Sequence, residues 1–211
     1  MPGKYTKMYY ILSDEPEKPK FDAYLNATLL DSKYTVTPNI FGKGKDVPAS
    51  NNVKYHLKIN HDYSKTGKIR DRIPVLVHNS DYIFLASERL QELLKETSAG
   101  QIEFFPISFE YNGIAYDNYK IVNVLHKIEC VNYEQSNITF ESYNDNDEGE
   151  GDIYAIEGLV FDESLIPSNL NIFLLGRSNN SIIVVHERLK NAINEKKISG
   201  FVFYKPEDFQ L

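Results

Sequence analysis

The sequence predicts an α+β fold, in which a mixed or antiparallel sheet packs against two helices. Three observations support this class. Several segments alternate apolar and polar residues, as strands do. The dipeptide Asn112-Gly113 supplies the positive φ angles of a tight hairpin. Two further segments place apolar residues at the helical period. With 211 residues, 42% of them hydrophobic, the chain can bury one generous core and form one or two domains.

The predicted strands begin near the start of the chain. The run MYYIL, residues 8–12, is the one strand predicted before residue 53. Residues 53–60 alternate strictly and predict a half-exposed strand. Residues 120–131 predict another continuous strand, with Asn123 on its polar face. The opposite face of that strand comprises Val122, Val124, His126, Ile128 and Cys130.

A shift of 99 positions aligns residues 72–107 with residues 171–206 without a gap, and it matches Ile73 to Ile172. Each segment predicts a hairpin, a helix and a closing strand. The agreement raises the hypothesis of an internal duplication. The alternative is chance similarity between two common strand–helix–strand units.

The two predicted helices begin near Ser87 and His186, residue types that can serve a helix N-terminus. Their apolar stripes are Leu90, Leu93 and Leu94 in the first and Leu189, Ala192 and Ile193 in the second. The predicted core comprises Ile83, Leu85, Leu90, Leu94, Phe104, Val122, Val124, Ile128, Cys130, Ile183, Val185, Leu189, Ile193, Phe201 and Phe203.

Charge is distributed unevenly along the chain. Residues 1–72 carry 13 Lys+Arg and 8 Asp+Glu, a net of +5, whereas residues 73–211 carry 10 and 22, a net of −12; together they give −7. Residues 129–175, here called the base-free segment, contain eleven acids and no Lys, Arg or His. Such a segment repels nucleic acid and attracts basic partners.

These features divide the chain into two predicted regions. Residues 1–72 form a basic segment with strands that packs on the main domain, and residues 73–211 form that α+β domain. No apolar run approaches the roughly 18 residues of a membrane span, and Cys130 is the single cysteine, so an internal disulfide is excluded. We expect a cytoplasmic protein with no membrane partner.

No catalytic cluster, metal site or cofactor site is predicted. His56 and His61 are five residues apart, a spacing that aligns on neither a strand nor a helix. His126 and Cys130 would lie about 13 Å apart on an extended strand, too far for a nucleophile and its base. The acidic run at residues 143–154 has no register that fits a calcium loop.

Several segments in order carry a resemblance to a known family: IEFFPI, YKIVNVLHKIECVNYEQS, GDIYAIEGLVFDESLIP and the run from IFLLG to GFVFYKP. Together they resemble a widespread bacterial immunity-protein family of polymorphic toxin systems, over roughly residues 75–206. The resemblance implies a cytoplasmic antidote that neutralises a toxin by binding it rather than by turnover. It implies no set of active residues.

The base-free segment provides the predicted contact surface for such a toxin. A toxin that handles nucleic acid or phosphates would present a basic surface, which acids attract. The predicted partner-binding residues are Glu141, Asp145, Asp147, Glu148, Glu150 and Asp152. One alternative is a solvated loop that only keeps the protein soluble. The alternative functions are an enzyme that uses carboxylates in a cleft and a structural component of a secretion or phage-like particle.

Overall fold

The computed structural model describes residues 9–13, 25–30, 41–47, 54–62, 69–77, 81–111, 113–141, 151–178 and 181–211. Within these ranges the chain contains two helices, α1 (Glu88–Thr97) and α2 (Glu187–Glu195). The strands are β1 (Tyr9–Ser13), β2 (Leu25–Leu30), β3 (Tyr55–Asp62), β4 (Arg72–Val77), β5 (Asp81–Ala86), β6 (Ile102–Tyr111), β7 (Ile114–Tyr116), β8 (Lys120–Val124), β9 (Lys127–Ile128), β10 (Ile138–Phe140), β11 (Ile153–Ile156), β12 (Ile172–Leu175), β13 (Ile183–His186) and β14 (Val202–Tyr204). Short 3₁₀ helices lie at Glu163–Leu165 and Pro206–Asp208. The α+β class is confirmed.

The larger sheet has the strand order β3-β2-β4-β5-β8-β6-β7 and is mixed, because β2 pairs with β4 in parallel. β3 also pairs in parallel with β6, so six of the seven strands close into a ring. Apolar side chains fill this ring, among them Val75, Leu85 and Ile107, each with no exposed surface. A closed ring leaves most strand edges paired inside the sheet.

The second sheet has the order β14-β1-β13-β12-β9, with β9 parallel to β12 and the other pairs antiparallel. A central apolar cluster contains residues of both helices and of both sheets, so the helices and the sheets share one core. A third cluster joins the remaining face of the second sheet to the hairpin formed by β10 and β11.

Both helix starts are confirmed, and each has a side-chain cap. The Ser87 hydroxyl accepts a hydrogen bond from the Leu90 amide, and His186 Nδ1 accepts one from the Arg188 amide at 3.0 Å. The predicted apolar stripes face the core, since Leu90 and Leu189 are 0% and 1% exposed. Eleven of the fifteen predicted core residues are buried. The other four are half-buried at the edges of the clusters: Phe104, Ile128, Phe201 and Phe203.

The prediction of one continuous strand over residues 120–131 is wrong. The chain forms β8 in the first sheet, leaves it at Leu125 and forms the short β9 in the second sheet. Asn123, predicted to be on a polar face, has no exposed surface because residues 41–47 cover it. Its side chain accepts a hydrogen bond from the Gly42 amide and donates one to the Lys45 carbonyl. The polar residue in the alternating pattern therefore lies on a face of β8 that another segment of the chain covers, not on a face exposed to solvent.

The two similar segments, here called unit 1 (residues 72–107) and unit 2 (residues 171–206), have the same strand order. A strand from elsewhere lies between the hairpin and the closing strand in both, giving β4-β5-β8-β6 and β12-β13-β1-β14. The cross-strand rows also correspond. Phe84 pairs with Val122, which pairs with Phe104; Ile183 pairs with Leu12, which pairs with Phe203.

The hairpin registers require a one-residue correction to the ungapped alignment. Arg72 pairs with Ala86, whereas Ile172 pairs with Val185, so the position equivalent to Ile172 is Arg72 and not Ile73. Burial agrees, because Ile73 packs inside the ring while Ile172 packs in the central cluster. The duplication itself stays a prediction.

Residues before 72 contribute to both sheets. β1 confirms the strand predicted at residues 8–12, while β2 and β3 complete the ring. The proposed domain boundary at residue 72 stays a prediction. Neither α1, with 10 residues, nor α2, with 9, has the length and apolar character to span a membrane.

Candidate functional site

The described part of the base-free segment is built around one irregular hairpin, here called the acidic hairpin (residues 131–141 and 151–162). Backbone hydrogen bonds join its two arms along their length. At one end the Asn132 amide donates to the Val160 carbonyl, and at the other the Glu141 amide donates to the Asp152 carbonyl, both at 2.8 Å. The hairpin therefore has a tip at residues 141 and 152 and a base near residues 132 and 160.

Two of the six predicted partner-binding residues, Glu141 and Asp152, lie together at this tip and are half-buried. The other four lie outside the described residues: Asp145, Asp147, Glu148 and Glu150. In the sequence, these four residues belong to the stretch 142–150 between the two arms of the hairpin. The binding role of all six stays a prediction.

Arg177 holds the tip of the acidic hairpin. Its guanidinium lies 4.7 Å from the ring centroid of Phe140 and 5.4 Å from that of Tyr133, and it donates a 2.8 Å hydrogen bond to the Gly151 carbonyl. Cation–π contacts of this kind contribute about 0.5–2 kcal/mol each. The first cation after the base-free segment thus fixes the hairpin to the turn that follows β12.

Exposed apolar side chains concentrate near this hairpin. Five large hydrophobic residues are exposed in the described part of the chain, and three of them, Tyr133, Tyr154 and Leu165, belong to the base-free segment. Tyr154, on β11, is the most exposed of the five at 68%. Exposed aromatic residues beside charged ones are typical of surfaces that bind other proteins.

A cleft of about 490 Å³ opens at the base of the acidic hairpin. Its lining includes Tyr9, Asn132, Phe161, Asp162, Glu163 and Pro206. The Asp162 carboxylate caps the adjacent 3₁₀ helix by accepting hydrogen bonds from the Ser164 amide at 3.1 Å and hydroxyl at 2.6 Å. Sequence reasoning missed this cleft because Tyr9 comes from the other end of the chain. The run Asp162-Glu163-Ser164 is a local signal, but by itself it is typical only of a helix cap.

Tyr9 is held edge-on in the cleft wall. Its ring centroid lies 5.0 Å from that of His186 and 5.9 Å from that of Phe173, with near-perpendicular planes. Burial raises the pKa of Tyr9, and the negative charge of Glu163 raises it further. The phenol is therefore neutral at physiological pH and can both donate and accept a hydrogen bond.

The residues considered for catalysis take ordinary structural places. Cys130 has no exposed surface, and burial, with a further contribution from Asp162, raises the pKa of its thiol to about 12, which leaves little thiolate to act as a nucleophile. A Ser–His pair missed in the sequence lies between β3 and β6, where Ser108 Oγ is 2.7 Å from His56 Nδ1. It joins two neighbouring strands of the ring. In the described ranges, no three His, Cys, Asp or Glu side chains are grouped to hold a metal ion.

Comparison with known proteins identifies a family. No curated protein matches the chain. The model of the Immunity protein family (Imm11) matches residues 24–208, and so extends beyond the resemblance at residues 75–206 to include β2 and β3. Since the match includes both helices and every described strand except β1, the chain belongs to the immunity protein family Imm11.

Proposed function

We propose that this protein binds a cognate toxin in the bacterial cytoplasm and neutralises it by covering the toxin's working surface, without catalysing a reaction. The family match over residues 24–208 is the observation that carries the proposal. The exposed aromatic residues of the base-free segment support it, because an antidote that works by binding needs such a surface.

The proposed contact surface is the acidic hairpin together with residues 142–150, which join its two arms in the sequence. It comprises Glu141, Asp145, Asp147, Glu148, Glu150 and Asp152. Residues 129–175 contain no base, and the one cation described at the tip, Arg177, is engaged by the Gly151 carbonyl and the rings of Phe140 and Tyr133. A surface of one sign speeds encounter with an oppositely charged partner, by about 10- to 1000-fold at low salt. The toxin surface that it covers would be basic.

Co-expression with the product of the neighbouring gene tests the function. We expect the two proteins to co-purify as a complex of fixed stoichiometry and the cells to survive the toxin. Cells that die despite soluble antidote, together with no complex after mixing the purified proteins, would contradict the proposal.

Charge reversal tests the surface. The triple variant Asp145→Lys, Asp147→Lys, Glu148→Lys should lower the association rate by about tenfold or more and weaken its salt dependence. The matched control reverses three exposed acids elsewhere: Glu92→Lys, Asp117→Lys and Glu195→Lys. Equal association rates for both triple variants would show that Asp145, Asp147 and Glu148 are not part of the contact surface.

The cleft lends support to one alternative, an enzyme that uses carboxylates, because Asp162 and Glu163 both line it. Stoichiometry separates the two functions. An antidote that works by binding must be present at one equivalent or more, whereas an enzyme inactivates many toxin molecules in turn. Titrating purified antidote against toxin activity should give an endpoint at one equivalent, and complete inactivation well below one equivalent would favour the enzyme.

A further inference from the structure

We propose that the cleft at the base of the acidic hairpin is a pocket for one arginine side chain of the toxin. This inference rests on the proposed function and specifies part of the contact surface. The pocket would add a specific contact at the base of the hairpin to the long-range attraction exerted by the acids at its tip.

The shape and chemistry of the cleft suit a long cationic side chain. Apolar groups of Leu159, Phe161 and Pro206 line it and can pack against the methylene groups of an arginine, while Asp162 and Glu163 supply negative charge. A guanidinium also stacks on aromatic rings, and Phe161 provides one in the cleft.

Tyr9 points independently to a ligand. Its side chain is 4% exposed, yet it lines the cleft. Within the described part of the chain its hydroxyl makes no hydrogen bond, although its ring is packed between Phe173 and His186. The hydroxyl is therefore available at the cleft, where it can accept a hydrogen bond from a guanidinium N–H.

The carboxylates of Asp162 and Glu163 each have oxygen atoms that can accept hydrogen bonds from the same arginine. Asp162 uses Oδ1 to cap the 3₁₀ helix, and its Oδ2 accepts no hydrogen bond from the described residues. Glu163 likewise makes no side-chain hydrogen bond there. The guanidinium of Arg188, whose charge acts on Tyr9, is engaged by hydrogen bonds to Asn171 Oδ1 and the Ser168 carbonyl, and Arg188 does not line the cleft. Arginine, with five donors in a planar fork, can satisfy several of these acceptors together, whereas lysine is a point charge.

Variants measured against the toxin provide the first test. Glu163→Lys should raise the Kd of the complex at least tenfold, while the control Glu92→Lys, an exposed acid on α1, should leave it unchanged. Tyr9→Phe removes only the hydroxyl, so the fold should keep its stability while the Kd rises a few-fold. Tyr10→Phe, on the opposite face of β1, is its control.

These outcomes separate the inference from the proposed function. If the wild-type protein forms no complex with the toxin, the proposed function fails. If it forms the complex and both Glu163→Lys and Tyr9→Phe bind with the wild-type Kd, the pocket is overturned while the proposed function stands.

A titration without the toxin tests the ligand chemistry. N-acetyl-arginine methylamide, followed by NMR on the full chain, should shift the amide signals of Asn132, Glu163 and Ser164, and Glu163→Gln should abolish the shifts. The lysine analogue should bind more weakly, and the glutamate analogue should leave the signals unchanged. Equal or tighter binding of the lysine analogue, or no response to the arginine compound, would overturn the assignment.

Discussion

Unit 1 and unit 2 share a strand order but meet each other through different chemistry. The residue before the first hairpin strand of each unit, Asp71 or Asn171, makes hydrogen bonds at the C-terminal side of the other unit's helix. Asp71, just before unit 1, bonds to Ser199, four residues after α2, and Asn171 bonds to Thr97, the last residue of α1. Unit 1 makes this contact with a carboxylate and unit 2 with an amide. One reciprocal arrangement thus uses a charged group on one side and a neutral group on the other.

The groups that Asp71 faces explain its charge. Its carboxylate accepts hydrogen bonds from the Ser87 hydroxyl at 2.7 Å, the Ser199 hydroxyl at 2.8 Å and the Ser199 amide at 3.0 Å, and it pairs with Arg89 at 3.4 Å. Burial alone would raise the pKa of Asp71, but these hydrogen bonds and Arg89 outweigh it and lower the pKa below the usual value. Because all of these partners of Asp71 are hydrogen-bond donors or cations, they favour its ionised carboxylate, which only accepts.

Asn171 faces groups of both kinds, and an amide matches them. Its side-chain nitrogen donates to the Thr97 carbonyl at the end of α1, and its oxygen accepts from Arg188 Nε at 3.0 Å. Gln101, which follows α1, accepts hydrogen bonds from the backbone amides of Asn171 and Ile172. The difference teaches that the residue at each of these two positions matches the groups around it: a carboxylate where all partners are donors, and an amide where there is one donor and one acceptor.

Truncating the equivalent core leucines should have the largest effect. Leu90→Ala and Leu189→Ala each remove a side chain with 1% exposure or less from the central cluster, and each should lower the free energy of unfolding by about 3 kcal/mol. Urea denaturation measures both. A loss below about 1 kcal/mol in one unit alone would break the equivalence of the two helices.

Truncating the two entry residues should give unequal, intermediate effects. Asp71→Ala leaves several donors and the Arg89 charge without an acceptor and should cost about 2 kcal/mol. Asn171→Ala removes two hydrogen bonds and should cost about 1 kcal/mol. Equal losses in thermal or urea unfolding would show that the charge adds nothing to the contact.

Removing a helix cap should have an effect as small as that of Asn171→Ala, and the two caps should differ in their pH dependence. Burial, with Arg188, lowers the pKa of His186, and only its neutral ring can accept at Nδ1. Because the folded pKa is depressed, the contribution of His186 should be complete above the unfolded value of about 6.5 and fall as the pH drops toward the folded pKa. Each cap should contribute about 1 kcal/mol to the free energy of unfolding.

Unfolding curves from pH 8 to pH 5 measure this difference. His186→Asn should remove the wild-type decline in stability that this histidine causes, whereas Ser87→Ala should lower stability by the same amount at every pH. A wild-type decline that persists unchanged in His186→Asn would assign it to other groups.

Sequence patterns predicted those features of the fold that depend on residues close together in the chain. The starts of both helices and the burial of Leu90 and Leu189 followed from local spacing. The closure of the ring did not, because β3 meets β6 through a pairing that no local pattern encodes. The cleft could not be predicted for the same reason, since Tyr9 and Glu163 line it together only after the second sheet has formed.

The position of β1 between β13 and β14 has a consequence during synthesis. About 170 residues must leave the ribosome after β1 before its first partner exists, which at typical elongation rates takes roughly 10 to 30 seconds. Throughout that interval the Tyr9–Ser13 backbone lacks its native partners and is exposed to wrong pairing. The second sheet is therefore completed late, and the cleft wall that Tyr9 provides forms only when β1 inserts.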